Sequence, residues 1–124
     1  MPYMNSEQLM FFEARLQALK EETLRNIKNA QGSLSERPEL KDEADLAQHE
    51  ETLSLALRSV KRETKLLPKI DAAVKRIRDG EYGYCLESGE AIGVDRLSIR
   101  PTAEYCAEVK HQMEEKEKHY GKRR

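Results

Sequence analysis

Aromatic residues, cysteines and long apolar runs are all scarce in this sequence of 124 residues. Aromatic side chains make up 6% of the chain, tryptophan is absent, and the 36% of charged residues nearly equals the 38% of hydrophobic residues. A large globular core is therefore excluded, and the composition favours long amphipathic helices with solvated surfaces. No segment offers the roughly 18 uncharged apolar residues of a membrane-spanning helix, and the first residues lack the features of a signal peptide. We expect a cytoplasmic protein.

The two cysteines, Cys85 and Cys106, are too few for the disulfide framework of a small secreted protein, so we expect reduced thiols. Charge of one sign is not in excess, since the net charge is −1. Its distribution is uneven, however. Residues 36–51 carry seven acids against two bases, whereas residues 58–78 carry eight bases against two acids. For the choice of binding partners, this separation of an acidic segment from a basic one is more informative than the net charge.

Two long helices are predicted from the spacing of apolar residues. The first covers residues 5–34, where Asn5 and Gln8 form a capping box, and the second covers residues 43–79. The first stripe consists of Leu9, Phe12, Leu16, Leu19, Leu24, Ile27 and Leu34. The second, a heptad seam, consists of Leu53, Leu57, Val60, Thr64, Leu67, Ile70, Val74 and Ile77. Glycine, serine and proline in residues 31–41 let the chain reverse, so we expect an antiparallel coiled-coil hairpin.

The remainder of the chain has a different character. Four glycines between residues 80 and 93 suggest turns and short strands. Helix is expected to return after Pro101, with Thr102 as its cap, and to run to about Tyr120. Within the second helix, Pro68 should kink or loosen one turn, because it cannot donate a hydrogen bond to a preceding carbonyl.

Cys85 and Cys106 have the spacing of the first and third ligands of a four-cysteine zinc ribbon, with Ser88 and Val109 at the other two positions. Neutral serine is a poor zinc ligand and valine is none. A rebuilt site that adds His111, five residues after Cys106, is one alternative. We favour two small buried thiols in a metal-free remnant, and zinc is not expected.

Several segments together carry a resemblance to a known family. They are 82–85 (YGYC), 89–93 (GEAIG), 96–97 (RL), 100–103 (RPTA), 42–47 (DEADLA) and 63–67 (ETKLL). Along essentially its whole length the chain resembles the DksA/TraR family, and within it the cysteine-poor, zinc-independent members. The resemblance implies an all-α-dominated fold: an antiparallel coiled-coil hairpin at 5–79 with its tip near 35–47, and a degenerate zinc-ribbon-like globular part with a C-terminal helix at 80–124. The start of the first helix is expected to pack on the globular part.

Asp42 and Asp45 lie three residues apart at the start of the second helix, on one face and beside the positive end of its dipole. Helix capping alone explains both acids. The resemblance implies more, because Asp42, Asp45 and Ala47 match the hairpin tip that enters the secondary channel of bacterial RNA polymerase. Arg62 and Arg96 match arginines implicated in contact with the polymerase.

The resemblance also implies a (p)ppGpp site at the polymerase interface, formed in part by Leu66, Lys69, Arg100 and Lys110. Cations neutralise pyrophosphate groups, and a leucine can pack on a purine face. We expect the site to survive Pro68, with a kink there reducing the response to the nucleotide.

The function expected from the resemblance is that of a bacterial transcription factor. It would bind RNA polymerase through the secondary channel and modulate initiation with (p)ppGpp, as a monomer, without sequence-specific DNA binding or a membrane partner. The sequence offers no nucleophile with a base and an orienting partner, so we expect no enzyme activity. The alternative is a zinc- or redox-responsive module that uses Cys85 and Cys106. A purely structural coiled-coil adaptor is a third possibility, which assigns no role to the acidic tip.

Overall fold

A computed structural model of the chain describes residues 3–36, 39 and 42–121. Its helices are α1 (Ser6–Ser35), α2 (Glu43–Asp79), α3 (Val94–Ile99) and α4 (Ala107–Gly121). They belong to two compact units: a hairpin unit of residues 17–72, and a terminal unit that combines residues 1–16 with residues 73–124. The predicted helical architecture is confirmed. No helix among the described residues is long and apolar enough to cross a membrane. Residues 37, 38, 40 and 41 of the predicted turn and tip lie outside the described residues.

Helix α1 begins where the capping box predicts. The side-chain oxygen of Asn5 accepts a hydrogen bond from the backbone N–H of Gln8 at 2.8 Å, and Gln8 Oε1 accepts one from the N–H of Asn5 at 3.0 Å. Two donors at the helix start are thereby satisfied. The helix continues through Gly32 to Ser35, whose hydroxyl donates to the Gly32 carbonyl at 3.0 Å.

The buried face of α1 follows steps of seven residues. Leu16, Thr23 and Ala30 are buried, whereas Leu24 is 47% exposed, so the prediction that Leu24 belongs to the stripe is wrong. A leucine next to Thr23 lies about 100° round the helix and leaves the interface. Thr23 can be buried because its hydroxyl donates to the carbonyl of Leu19 at 2.7 Å.

Within the hairpin unit the two long helices run antiparallel. Lys20 of α1 forms an ion pair with Asp71 of α2, at 2.9 Å between Nζ and Oδ1. Further along, Ala30 of α1 and Ala56 of α2 line one cleft. Because later residues of α1 meet earlier residues of α2, the chain reverses as the sequence predicts.

The α2 seam differs from its prediction at two positions. Leu57 is 49% exposed and Thr64 is exposed, whereas Ala56 is buried and the side chain of Glu63 is only 14% exposed. The predicted seam contains two successive steps of three residues, from Thr64 to Leu67 to Ile70. The observed seam, with Ala56 and Glu63 in place of Leu57 and Thr64, alternates steps of three and four, so a strict heptad count favours it while residue type favours Leu57 over Ala56. The structure selects the register in which the short Ala56 shares the interface with Ala30.

The glycine-rich segment of the terminal unit forms turns and a short helix. Its described residues contain no strand, only an isolated antiparallel bridge between Tyr84 and Ala91, and the sequence did not predict α3. Thr102 is buried in a turn rather than capping a helix, so that prediction is wrong too. Helix α4 begins five residues later, where the N–H of Lys110 donates to the carbonyl of Cys106 at 3.0 Å.

Aromatic contacts organise the core of the terminal unit. The rings of Phe12 and Tyr82 lie 5.7 Å apart between centroids, and the Tyr82 hydroxyl donates to the buried carbonyl of Pro101 at 2.7 Å. The Tyr3 hydroxyl donates to the carbonyl of Gly83. Gly83 has a φ of +93°, and the side chains of Tyr3 and Met4 occupy the space that a Cβ would need. Only glycine can adopt the positive φ readily and also leave this space to the two side chains.

Candidate functional site

The acidic end of α2 is built around the cap of its first turn. Asp42 Oδ1 accepts a hydrogen bond from the N–H of Asp45 at 2.9 Å, and the Asp42 carbonyl accepts one from the N–H of Leu46 at 3.1 Å. The cap predicted from the sequence is confirmed. Asp42, Asp45 and Ala47 are all exposed. Two exposed acidic residues thus stand at the positive end of the helix dipole, where acidic side chains are commonly found.

Arg62, Leu66 and Lys69 follow one another along α2 at spacings of four and three residues, which places them on one helical face. Arg62 and Lys69 are exposed, and Leu66 is partly buried. The Arg62 side chain is 74% exposed and lies 3.8 Å from the carboxylate of Glu63. An ion pair at that separation and exposure contributes little, so the guanidinium can exchange this partner for another.

The other predicted cations lie in the terminal unit. Arg96 is partly buried in α3, and its Nε donates to the carbonyl of Tyr105 at 3.1 Å. That bond links α3 to the segment before α4, a structural role that the sequence did not reveal because the acceptor is a backbone atom. Arg100 is exposed at the end of α3, and Lys110 is partly buried in the first turn of α4.

Three of the four residues at the zinc-ribbon positions, Cys85, Ser88 and Cys106, lie close together. The N–H of Ser88 points at the Cys85 sulfur at 3.5 Å, and the Ser88 hydroxyl lies 3.9 Å from the Cys106 sulfur. Backbone hydrogen bonds hold the two segments side by side, with the N–H of Leu86 donating to the carbonyl of Glu104 at 2.8 Å. Both cysteines are free thiols, but Cys106 is only partly buried, so the prediction of two buried thiols holds for Cys85 alone.

Hydrogen bonding changes the acidity of Cys85. Burial raises the pKa of this thiol, but hydrogen bonds from the Ser88 hydroxyl and from the backbone N–H groups of Ser88, Cys106 and Glu87 outweigh burial and lower the pKa to about 6. These donors stabilise the thiolate, so Cys85 is mostly ionised at neutral pH.

A polar cleft between α1 and α2, which sequence reasoning missed, has a volume of about 460 Å³. Asn26 and Asn29 of α1 and Ser59 of α2 contribute polar side chains to it. Arg62 and Glu63 also line it. The signal in the sequence was the heptad relation of Glu63 to two apolar residues, Ala56 and Ile70, seven positions to either side.

Comparisons with known proteins agree over nearly the whole chain. Residues 8–77 match the family described as DnaK suppressor protein DksA, N-terminal domain, and residues 80–115 match the prokaryotic dksA/traR C4-type zinc finger. A Caulobacter vibrioides protein named RNA polymerase-binding transcription factor DksA is 43% identical over 118 residues, covering 94% of this chain and 83% of the relative. The protein of the same name from Escherichia coli K12 is 39% identical over 120 residues, covering 94% and 78%.

A solved structure agrees as well. That of transcription factor DksA2 from Pseudomonas aeruginosa matches with a TM-score of 0.78 and 45% identity, covering 94% of this chain and 90% of that one. The fold is therefore shared with this relative over most of the chain.

The zinc that the second family description implies does not suit the residues of this chain. Of the four ligand positions only Cys85 and Cys106 carry thiols, Ser88 carries a hydroxyl, and Val109 is a buried apolar side chain. No group of three or more His, Cys, Asp and Glu side chains among the described residues is placed to hold a metal ion. The alternative with His111 therefore lacks support, because structural zinc requires four converging donors.

Proposed function

The chain belongs to the DksA family, and from this premise we propose that it is a bacterial transcription factor that binds RNA polymerase. The observation that carries the proposal is the 43% identity, over 94% of this chain, to a relative named for that binding. Bacterial RNA polymerase works in the cytoplasm, which is where the proposal puts the protein. Its binding would need neither sequence-specific DNA contact nor a second copy of the chain.

The proposed action depends on the acidic end of the hairpin. Asp42, Asp45 and Ala47 would enter the secondary channel at the end of the hairpin unit, and residues 80–124 would remain outside. The two helices of the hairpin support each other by packing, so two carboxylates can be delivered through a narrow passage. There they would bias cationic and mobile elements of the polymerase by charge and contact, as a modulator and not as a catalyst. The small side chain of Ala47 would keep this end slim.

A second part of the proposal concerns (p)ppGpp. Leu66 and Lys69 on α2 and Arg100 and Lys110 in the terminal unit would each contribute to a nucleotide site completed by the polymerase. Three cations can neutralise the pyrophosphate groups of the nucleotide, while Leu66 packs on its base. Arg62 and Arg96 would contact the polymerase itself. In this arrangement the nucleotide strengthens the effect of the protein on initiation.

Substitution of Asp45 by Asn tests the proposed action of the acidic end. The change removes one negative charge and leaves the backbone N–H that donates to Asp42 in place. Polymerase binding should stay within about twofold of wild type, while repression of a promoter with a short-lived open complex should be lost. In vitro transcription and a binding titration with core polymerase measure the two effects separately.

Two results would contradict the proposal. Failure of the wild-type protein to bind core polymerase would contradict the proposed function itself. Full repression by the Asp45→Asn variant would show that the acidic end does not cause the repression. Asp42→Asn is a useful companion, because asparagine caps a helix as well as aspartate does and thus changes charge without loss of the cap.

A second function is favoured by the surroundings of the Cys85 sulfur, at which the Ser88 N–H points from 3.5 Å and where hydrogen bonds lower the pKa of the thiol. A thiolate reacts with oxidants faster than a thiol does, so Cys85 and Cys106 could make the protein responsive to oxidation. Repression that falls after treatment with a mild oxidant in the wild type, but not in Cys85→Ser, would favour this function over the first.

A further inference from the structure

One flank of α2 carries an exposed apolar side chain in line with the predicted cations. Leu55, Ser59, Arg62, Leu66 and Lys69 recur at spacings of four and three residues and therefore share a face. Leu55 is 56% exposed, the largest exposure among the exposed leucines of the hairpin unit. The row thus extends the face of the predicted polymerase contacts toward the acidic end of the helix.

The cleft beside this row contains a carboxylate with poor pairing. The side chain of Glu63 is 14% exposed, and its ion pair in the described residues, with Arg62, spans 3.8 Å. Apart from Arg62, the other polar side chains that line the cleft are uncharged, namely the amides of Asn26 and Asn29 and the hydroxyls of Ser33 and Ser59. Removing a carboxylate from water costs free energy that a distant, solvated cation returns only in part. The cleft is therefore complementary to an additional cation.

The opposite flank of the hairpin provides a contrast. Leu57 is 49% exposed, nearly as much as Leu55, but two residues along a helix correspond to a turn of about 200°. Leu57 consequently points away from Ser59 and Arg62, which line the cleft. The two leucines have similar exposure on the same helix and differ in the side they face.

We propose that the flank of Leu55 and the cleft is a docking surface for RNA polymerase, where an apolar polymerase side chain packs on Leu55 and a polymerase lysine or arginine enters the cleft to pair with Glu63. This inference rests on the proposed function. Charge complementarity favours this occupant, because the cation beside Glu63 in the cleft, Arg62, is 74% exposed and lies 3.8 Å away, so a second cation can pair with the carboxylate. Continuity favours it as well, since Arg62 belongs both to the cleft and to the row that ends at Lys69.

Binding of the full-length chain to core polymerase tests the inference. Leu55→Gln and Glu63→Gln should each weaken binding by about tenfold, the effect of losing a central interface residue. Leu57→Gln is the matched control and should stay within about twofold of wild type. A titration with labelled protein gives the dissociation constants, and thermal unfolding of each variant checks that the fold is intact.

A third variant keeps the test decisive if Glu63→Gln disturbs the seam. Asn29 is exposed at the cleft, so Asn29→Lys supplies Glu63 with an internal ammonium partner. It should exclude the polymerase cation and weaken binding about tenfold while the unfolding temperature stays the same or rises.

The outcomes separate this inference from the proposed function. Failure of the wild type to bind polymerase overturns both. Binding by the wild type together with equal binding by Leu55→Gln, Glu63→Gln and Asn29→Lys overturns the docking surface alone. A third outcome is a wild-type dimer that Leu55→Gln converts to a monomer without loss of polymerase affinity. That result would assign the flank to self-association and would overturn the docking surface as well.

Discussion

At the scale of single residues, the pair Cys85 and Ser88 shows what remains when zinc ligands are replaced. The turn still directs N–H groups at a sulfur, as the 3.5 Å approach of the Ser88 N–H to Cys85 shows. These donors and the Ser88 hydroxyl stabilise the thiolate. The local geometry that would hold a metal ligand thus produces an acidic thiol.

The pH dependence of stability follows from the lowered pKa of Cys85. An acid whose pKa is about 6 when folded and near 8.5 when unfolded stabilises the fold fully above the unfolded value. This contribution is lost as the pH falls through about 6. We therefore expect the free energy of unfolding in denaturant to decrease between about pH 8.5 and pH 6, and the thiolate ultraviolet absorbance to titrate with a midpoint of about 6.

Two variants control this experiment. Cys85→Ser should abolish the thiolate signal with a midpoint of about 6 and its share of the pH dependence. Ser88→Ala should move the midpoint upward, because one hydrogen bond to the thiolate is removed. A Cys85 thiol that titrates like a free cysteine in the native protein would refute the account.

At the scale of elements, α2 combines a proline with a continuous helix. Pro68 lies inside α2, which runs from Glu43 to Asp79 without interruption. The carbonyl of Thr64 lacks the N–H that residue 68 would normally donate. Pro68 and Thr64 are both exposed, so solvent is close to the unpaired carbonyl and the loss is tolerated. Packing of the hairpin maintains a helix that local propensity disfavours.

Replacement of Pro68 by Ala should stabilise the protein. Alanine restores one helical hydrogen bond and removes the ring from the preceding turn, so the free energy of unfolding should rise by about 1–3 kcal/mol. Chemical denaturation measures this change. If Pro68 displaces Lys69, the response of transcription to (p)ppGpp should increase in the same variant.

Ala72→Gly, one turn later on the same helix, is a control with the opposite expected effect. It should lower the free energy of unfolding by about 1 kcal/mol. No gain in stability for Pro68→Ala would mean that the proline already fits the helix without cost.

At the scale of the whole molecule, the terminal unit folds around apolar contacts where relatives are described by a four-cysteine zinc finger. Phe12, Tyr82 and Leu97 are buried there, and the Tyr82 hydroxyl donates a hydrogen bond to the carbonyl of Pro101. Burial raises the pKa of Tyr82, so this hydroxyl remains a neutral donor across the physiological range. These interactions do not depend on two missing thiols.

Restoring the thiols tests whether the ligand geometry persists. The double variant Ser88→Cys, Val109→Cys should bind one zinc ion tightly, because Ser88 already lies 3.9 Å from the Cys106 sulfur and 3.5 Å, through its N–H, from that of Cys85. Metal analysis and thermal unfolding with and without a chelator measure binding and its effect on stability.

The wild type is the reference and should unfold at the same temperature with or without chelator. A double variant that binds no zinc would show that the segments have moved away from ligand geometry.

Much of the fold could be predicted because it depends on local chemistry. Asn5 and Asp42 mark helix starts through hydrogen bonds to residues three positions away, so short sequences determine both caps. The start of α4 could not be found this way, because Thr102 has cap chemistry but is buried in a turn.

The sequence by itself determined the two long helices, their caps, the uneven charge and the lack of four zinc ligands, since each depends on residue type and spacing along one chain. The tertiary structure alone decided which register of α2 is buried, and it placed Glu63 rather than Thr64 at the cleft. It also turned Ser88 toward both sulfurs. Residue type and spacing favoured two neighbouring faces of α2, and packing against α1 decided between them.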